Sequence, residues 1–376
     1  MGYDSVDKLQ NLLASEVFQY TNDKKKAAGR ALGTFIELIT YYVIKNWKLD
    51  QFISIERPLP EFANNEITHN VEFTLHGSKL IGRHKFTDQD LPLSCNKIIK
   101  NHFDEPTKLF SKKGMVIDKN RVLKNACTLS ISKRSFINIY INTNSNSYEI
   151  YELTAKPFAM FECKRVGVEE GKKKGPQTIE KAKQGSYVAR MVSSLQRIRY
   201  NDGSLGGIIQ KNDGTFIVKE YYSLLNEIIN SENFWMLNNF ILTIGIISNH
   251  GNWFTSENQN KELKVLAQSY DWLVFLTDQG IGEFITDLLI KPQKENKYIK
   301  EAFDKSYNNN NNKKRNVFTK VKIDYYADIA LTNYFKENET RIKSWFNVIT
   351  PKNRNLDELK NELSILSNKN WWEIYQ

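Results

Sequence analysis

The sequence predicts an α/β fold in which helices flank a central mixed β-sheet. Three observations carry that prediction. Apolar residues recur at helical spacing through most of the first fifty positions. Short continuous apolar runs at 240–248 and 272–277 have the length and content of strands buried on both faces. Between them lie alternating segments bounded by turn residues, the pattern of half-buried strands. With 376 residues, 40% of them hydrophobic and 12% aromatic, the chain can bury a substantial core.

The elements follow in order. Val6, Leu9, Leu12, Leu13, Val17 and Phe18 mark an amphipathic helix over 5–20. A second helix covers about 24–47, with Ala28, Leu32, Phe35, Ile36, Ile39, Tyr42 and Val43 on its apolar stripe. Gly29, Gly33 and Glu37 lie four apart on a neighbouring stripe. Glycine costs helix stability, and close approach to a sheet is a reason to keep it. Residues 52–56 read as a strand ended by Pro58 and Pro60, and 67–76 as another ended by Gly77. Residues 86–134 are mixed and basic. Segments 136–142, 148–153 and 158–165 read as an antiparallel meander with turns at 143–147 and 154–157. A helix is expected at about 178–198, a hairpin around Asn212-Asp213-Gly214, and a helix at about 219–231. The run of five asparagines at 308–312, backed by Lys313, Lys314 and Arg315, reads as a flexible loop. Helices are expected at about 326–346 and 355–366.

Composition narrows the function classes. Lys and Arg number 53 against 43 Asp and Glu, a net charge of +10. That excess favours a polyanionic partner, nucleic acid first. Cys95, Cys127 and Cys163 form no CxxC pair, which argues against a cysteine zinc site and fits a reducing cytoplasm. The N-terminus has no basic region leading into an apolar run, and no stretch of eighteen apolar residues occurs. Neither a signal peptide nor a membrane span is expected, and the expected location is cytoplasmic. No GxxxxGK[ST] loop, GxSxG elbow or glycine-rich methyltransferase loop is present. His69, Glu72 and His76 lack the HExxH spacing of a zinc protease.

One segment carries chemistry: Phe158-Ala-Met-Phe-Glu-Cys-Lys-Arg165. In a strand, residues two apart share a face. Glu162 and Lys164 therefore project together, while Cys163 points the other way with Phe161 and Ala159. A carboxylate and an ammonium side by side can hold a divalent metal and a cation at one reacting phosphate. Two residues can supply a second acid. Glu72 lies in the alternating segment after the Glu37 helix. Glu149 comes opposite Glu162 if 154–157 is a four-residue hairpin loop that pairs Leu153 with Phe158. Beyond the strand, Lys172, Lys173, Lys174, Gln177, Lys181, Lys183, Gln184, Arg190, Arg197 and Arg199 form a basic, polar cluster suited to phosphate and base-edge contacts.

The Glu162-Cys163-Lys164 tripeptide resembles the ExK half of the PD-(D/E)xK nuclease superfamily motif, and the order of elements over about 25–280 resembles its type II restriction endonucleases. No Pro-Asp occurs, so the acidic position falls to Glu72 or Glu149; Glu72 follows the Glu37 helix as the family's acidic strand does. The resemblance implies a restriction-endonuclease-like core at 1–290. Within it a β-rich, basic segment is inserted at about 78–147, and a helical C-terminal region at 291–376 carries the Asn-rich loop. It implies Mg²⁺, with Mn²⁺ able to substitute, bound by Glu162, the acidic partner and the Cys163 backbone carbonyl. Lys164 would orient or deprotonate the attacking water, and Glu37 would be an accessory group. The implied activity is sequence-specific cleavage of double-stranded DNA by a homodimer, with a cognate DNA methyltransferase as genetic partner. A repair or recombination nuclease of the same fold, or a non-catalytic DNA-binding protein, is the alternative.

Overall fold

The strongest helical stripe in the sequence becomes a helix held between two layers. The computed structural model describes residues 6–18, 23–57, 70–103, 114–132, 134–167, 188–250, 266–307 and 316–375. Helix α1 (Val6–Leu12) continues as a π-helical stretch, Leu13–Val17, and is followed by α2 (Lys24–Asn46). The Asp23 carboxylate caps α2 by accepting from the Lys26 amide at 3.1 Å, which satisfies one of the free N–H groups of the first turn. The expected stripe is buried, and so are Ala31, Leu38, Tyr41 and Ile44 outside it. On one side Tyr41 stacks on Phe73 of the sheet, ring centroids 6.1 Å apart. On another, Tyr42 meets Phe335 of a C-terminal helix at 5.5 Å. The Gly29 carbonyl accepts from the Arg165 guanidinium at 3.0 Å, a close approach of helix to strand. Gly33 faces open space, and nothing in its surroundings explains it.

The strands are β1 (Ile53–Arg57), β2 (Val71–Lys85), β3 (Leu93–Ser94), β4 (Met115–Ile117), β5 (Val122–Lys124), β6 (Cys127–Ile131), β7 (Ser135–Asn142), β8 (Ser147–Gly167), β9 (Gln196–Arg199), β10 (Leu205–Gln210), β11 (Phe216–Glu220), β12 (Leu242–His250), β13 (Trp272–Leu276), β14 (Lys322–Asp324) and β15 (Phe346–Thr350). The longer helices after α2 are α3 (Cys95–His102), α4 (Tyr221–Asn230), α5 (Asp278–Ile285), α6 (Lys297–Tyr307), α7 (Tyr325–Glu337) and α8 (Leu356–Ser367). The central mixed sheet runs β1-β2-β8-β12-β13-β15. Strands β8, β12 and β13 are parallel and the flanking pairs antiparallel. Strand β8 is the spine: β2 follows one edge, while β7 and then β12 take the other. Smaller sheets form from β9-β10-β11 and from β14-β5-β4-β3.

Several sequence expectations change. The meander expected at 148–165 is one continuous strand, because Thr154-Ala-Lys-Pro157 forms a bulge and not a turn. Pro157 cannot donate to a ladder, and bulges are where a sheet tolerates that. The pairing of β2 with β8 shifts register around His76, which faces Pro157. Side chains replace the lost ladder bonds. The Gly77 amide donates to Thr154 Oγ1 at 3.0 Å, and Thr154 Oγ1 donates to the Lys156 carbonyl at 2.9 Å. Strand β2 therefore passes Gly77, where it was expected to end, and runs to Lys85. A Cβ at Gly77 would lie 2.5 Å from Trp371 Cβ, so this glycine serves a close contact.

Of the segment expected as an insertion at about 78–147, residues 78–85 belong to β2 and β7 pairs with β8. The C-terminal region expected to be helical also carries strands: β15 pairs with β13 at the edge of the central sheet, and β14 pairs with β5. Of the helix expected at about 178–198, residues 188–192 are helical and 196–199 form β9. Residues 168–187 and the asparagine run at 308–312 lie outside the described residues. The hairpin around Asn212-Asp213-Gly214 joins β10 to β11. No helix among the described residues is long and apolar enough to cross a membrane. Cys95, Cys127 and Cys163 are free and buried.

Candidate active site

Strand pairing brings the acidic residues together. Between β1 and β2, Ile55 faces Phe73 and Arg57 faces Val71; between β2 and β8, Phe73 faces Phe161. Continuing that register by one residue sets Glu72 opposite Glu162, with Glu56 next in the row. Opposed residues share a sheet face, and like charges there are unfavourable unless a cation intervenes. Two ammonium groups intervene. Lys164 Nζ lies 3.1 Å from Glu162 Oε2 and 3.6 Å from Glu72 Oε1. Lys320 Nζ lies 3.2 Å from Glu37 Oε2 and 3.3 Å from Glu56 Oε1, and also pairs with Glu72 Oε2. Charges of opposite sign thus alternate from Glu162 through Lys164, Glu72 and Lys320 to Glu37 and Glu56.

Each group reaches the site from a different element. Glu162 and Lys164 come from β8, Glu72 from β2 and Glu37 from α2. Glu56, in β1, has φ 52°, a left-handed conformation uncommon outside glycine and of the kind that clusters at functional sites. Lys320 comes from a tight turn before β14. The Thr319 amide donates to the Lys322 carbonyl at 2.8 Å, and Asn125 Nδ2 donates to the Lys320 carbonyl at 3.1 Å.

Burial sets the electrostatics. Glu162 has no exposed surface, and the Lys320 side chain is only 4% exposed. A charge so buried is tolerated when it is paired, which the alternating arrangement supplies. Burial raises the Glu37 pKa; Lys320 opposes the rise and the neighbouring Glu56 adds to it. On the far face, burial pushes the Cys163 thiol up, so its side chain is a neutral thiol and no nucleophile. Gly245 of β12 faces Glu162 in the parallel register. A Cβ there would come within 2.7 Å of the Tyr270 ring, so glycine lets Tyr270 close over the strand beside Glu162. Burial, then the Glu162 carboxylate, hold the Tyr270 hydroxyl protonated.

Of the residues expected from the sequence, Glu37, Glu72, Glu162 and Lys164 come together. Glu149 does not. With no hairpin at 154–157, it stands thirteen residues from Glu162 along the same strand, on the order of 40 Å away at ~3.3 Å per residue. It faces Arg83 in β2 and Tyr140 in β7, pairs with Arg83 Nε at 2.7 Å and accepts from the Tyr151 hydroxyl. Its carboxylate is buried, held by the exposed Arg83 on one side and Tyr151 on the other. Lys172, Lys173, Lys174, Gln177, Lys181, Lys183 and Gln184 lie outside the described residues. Arg190 is exposed and, with Arg197, Arg199 and Tyr221, lines a cleft of about 320 Å³. Arg197 is committed inward, donating to the Ala267 carbonyl at 2.8 Å. Sequence reasoning missed Lys320 and Glu56. Glu56 had a signal, an acid at the end of an expected strand next to that of Glu72. Lys320 had none, since it belongs to no motif and arrives from 156 residues beyond Lys164.

Among the described residues, no group of three or more His, Cys, Asp or Glu side chains is set to hold a metal ion. The facing pair Glu72 and Glu162 offers hard oxygen donors. Such a pair suits Mg²⁺, which takes one or two carboxylates and keeps several waters, better than a metal needing an all-protein cage. Comparison with known proteins returns no matching family model, no matching curated sequence and no matching solved structure.

Proposed function

We propose that this protein is a Mg²⁺-dependent, sequence-specific endonuclease of double-stranded DNA, a type II restriction enzyme built on a PD-(D/E)xK core. One observation carries the reading. The ExK pair, Glu162 and Lys164, shares a salt-bridged cluster with Glu72, the carboxylate on the neighbouring strand. The net charge of +10 supports a nucleic-acid partner. Homodimerisation, a cognate DNA methyltransferase and a cytoplasmic location belong to the same reading.

Glu72 and Glu162 would hold the metal, with the Cys163 carbonyl as a further oxygen donor. Bound Mg²⁺ supplies Lewis-acid neutralisation of phosphate charge and a more acidic water. The remaining work falls to the chain. Lys164, with donors left over from its two carboxylates, would orient the attacking water and stabilise charge developing on the phosphoryl oxygens. Tyr270, held as a phenol, walls the buried side of Glu162 and excludes bulk water. The basic residues from Lys172 to Arg190 would position the duplex through its phosphates.

Incubation with a mixed-sequence plasmid and Mg²⁺ tests the proposal. Discrete fragments are expected, with Lys164→Ala, Glu72→Gln and Glu162→Gln each lowering the cleavage rate by orders of magnitude while duplex binding in Ca²⁺ persists. Glu149→Gln should cut at near the wild-type rate wherever it remains folded. Unspecific degradation would favour a repair nuclease. Binding without any cleavage would favour a non-catalytic DNA-binding protein, and full activity in Lys164→Ala would remove the proposed centre.

A further inference from the structure

We infer that Cys95 and Cys127 are a reversible oxidation site, a dithiol that a hydroperoxide converts to an internal disulfide between α3 and β6. Their Sγ atoms lie 3.6 Å apart. That is van der Waals contact for two sulfurs, and a gap of about 1.5 Å remains to be closed to the length of a disulfide. The two residues are 32 apart in sequence, so the fold brings them together. Each is held by its own backbone. Cys95 opens α3 behind the Ser94 cap, whose hydroxyl accepts from the Lys97 amide at 3.1 Å. Its own amide donates to the Gly114 carbonyl at 2.9 Å. Cys127 opens β6 and faces Ile139 of β7. Two groups held in contact react as one molecule and not by chance encounter.

Access comes past Gly114. Both cysteines are buried, but Gly114 is exposed. A Cβ at Gly114 would lie 3.8 Å from Cys95 Sγ. The Cys95 sulfur therefore sits beneath surface backbone that carries no side chain, within reach of an oxidant as small as hydrogen peroxide. The Cys95 thiolate attacks one peroxide oxygen, the O–O bond breaks, and a sulfenic acid forms. The Cys127 sulfur then attacks the sulfenic sulfur, and the S–O bond breaks as the S–S bond forms. Both hydroxides leave as water with the two thiol protons. Two thiols thus lose two electrons, and one peroxide becomes two waters. A dithiol reductant reverses the bond by exchange. In a reducing compartment the dithiol is the resting form, and a disulfide there is transient. The bond also has a place in the fold. Asn125, two residues before Cys127, holds the Lys320 turn through the Lys320 and Val321 carbonyls, at 3.1 and 3.0 Å. Oxidation ties to α3 the segment from which that turn is held.

Treating the folded full-length protein with hydrogen peroxide, blocking residual thiols by alkylation and mapping peptides by mass spectrometry without reductant tests this. The expected product is a linked Cys95–Cys127 peptide pair, lighter by two hydrogens than the two free peptides. The free-thiol count should fall from three per chain to one, and dithiothreitol should restore all three. Cys127→Ser should form no link within the chain. The same treatment in urea should link Cys163 to either partner as well, because the unfolded chain no longer selects a pair. Three thiols left intact in the folded protein, sulfinic or sulfonic acid without a linked pair, or the urea mixture of links in the folded chain would overturn the inference. The nuclease reading survives each of these outcomes, since none of them measures DNA cleavage.

Discussion

His76 lies on β2 four residues beyond Glu72 and is fully buried. Its neutral ring fits its partners: Nδ1–H donates to the Thr154 carbonyl at 2.8 Å and Nε2 accepts from the Thr74 hydroxyl at 2.7 Å. Burial, reinforced by the nearby Arg57 charge, holds its pKa well below the ordinary value of 6.5. The sign follows from linkage. Below pH ~6.5 the unfolded chain takes up a proton that the folded chain refuses, so stability is present above that pH and lost as pH falls through it. Thermal melts from pH 7.5 to 5 should show a falling Tm. His76→Gln, which keeps polar partners but does not titrate, should show a shallower fall. Parallel curves for the two proteins would place the acid sensitivity elsewhere. The same residue joins the bulge of β8 to β2, so a packing role explains a histidine that resembled a candidate metal ligand only by its neighbours in sequence.

At the scale of elements, α2 and α7 are locked by a buried polar centre. Asp328 of α7 pairs with Lys45 of α2 at 2.9 Å, and accepts from the Tyr42 hydroxyl at 2.8 Å and the Thr143 hydroxyl at 2.7 Å. Asp328 is 1% exposed and Lys45 9%. Removing one partner strands the other, at a cost of about 3–5 kcal/mol. Asp328→Ala should therefore lower the urea midpoint strongly, whereas Asp328→Asn, which keeps hydrogen-bonding atoms, should lower it less. A midpoint unchanged in Asp328→Ala would show that the pair contributes nothing net. The lock has a consequence for the site. The Lys320 turn is separated from α7 only by β14, and α2 carries Glu37. Fixing α7 on α2 thus fixes Lys320 relative to Glu37.

At the scale of the molecule, a chain of net charge +10 folds so that the acidic cluster around Glu72 and Glu162 carries two lysines of its own. Other cations lie exposed, Arg190 among them. One run of three, Lys172-Lys173-Lys174, begins five residues after the end of β8 in the sequence. Replacing the three with Ala should weaken binding to specific and non-specific duplexes alike. It should also flatten the dependence of log K on log salt by up to about three ion equivalents, as loss of phosphate contacts requires. An unchanged slope would assign the DNA path to another face, with the Arg190 cleft the first to test.

Much was determined locally and is legible in the sequence. The 3.6-residue stripe of α2, the apolar runs of β12 and β13, the Asn-Asp-Gly hairpin and the alternation of Glu162 with Lys164 depend on residues a few positions apart. The physics that specifies them is likewise local: helical periodicity, two-sided burial, turn chemistry and the pleat. The choice of Glu72 over Glu149 was not local. It turned on whether Thr154-Ala-Lys-Pro157 made a turn or a bulge, and that depended on whether β2 lay alongside to donate hydrogen bonds from His76 and Gly77 to Thr154. Lys320 was further out of reach. Its place among Glu37, Glu56 and Glu72 exists only because β14 pairs with β5 and α7 packs on α2, contacts between segments some two to three hundred residues apart. No window of sequence contains that geometry, because a buried ammonium is selected by the carboxylates that surround it and not by its neighbours along the chain.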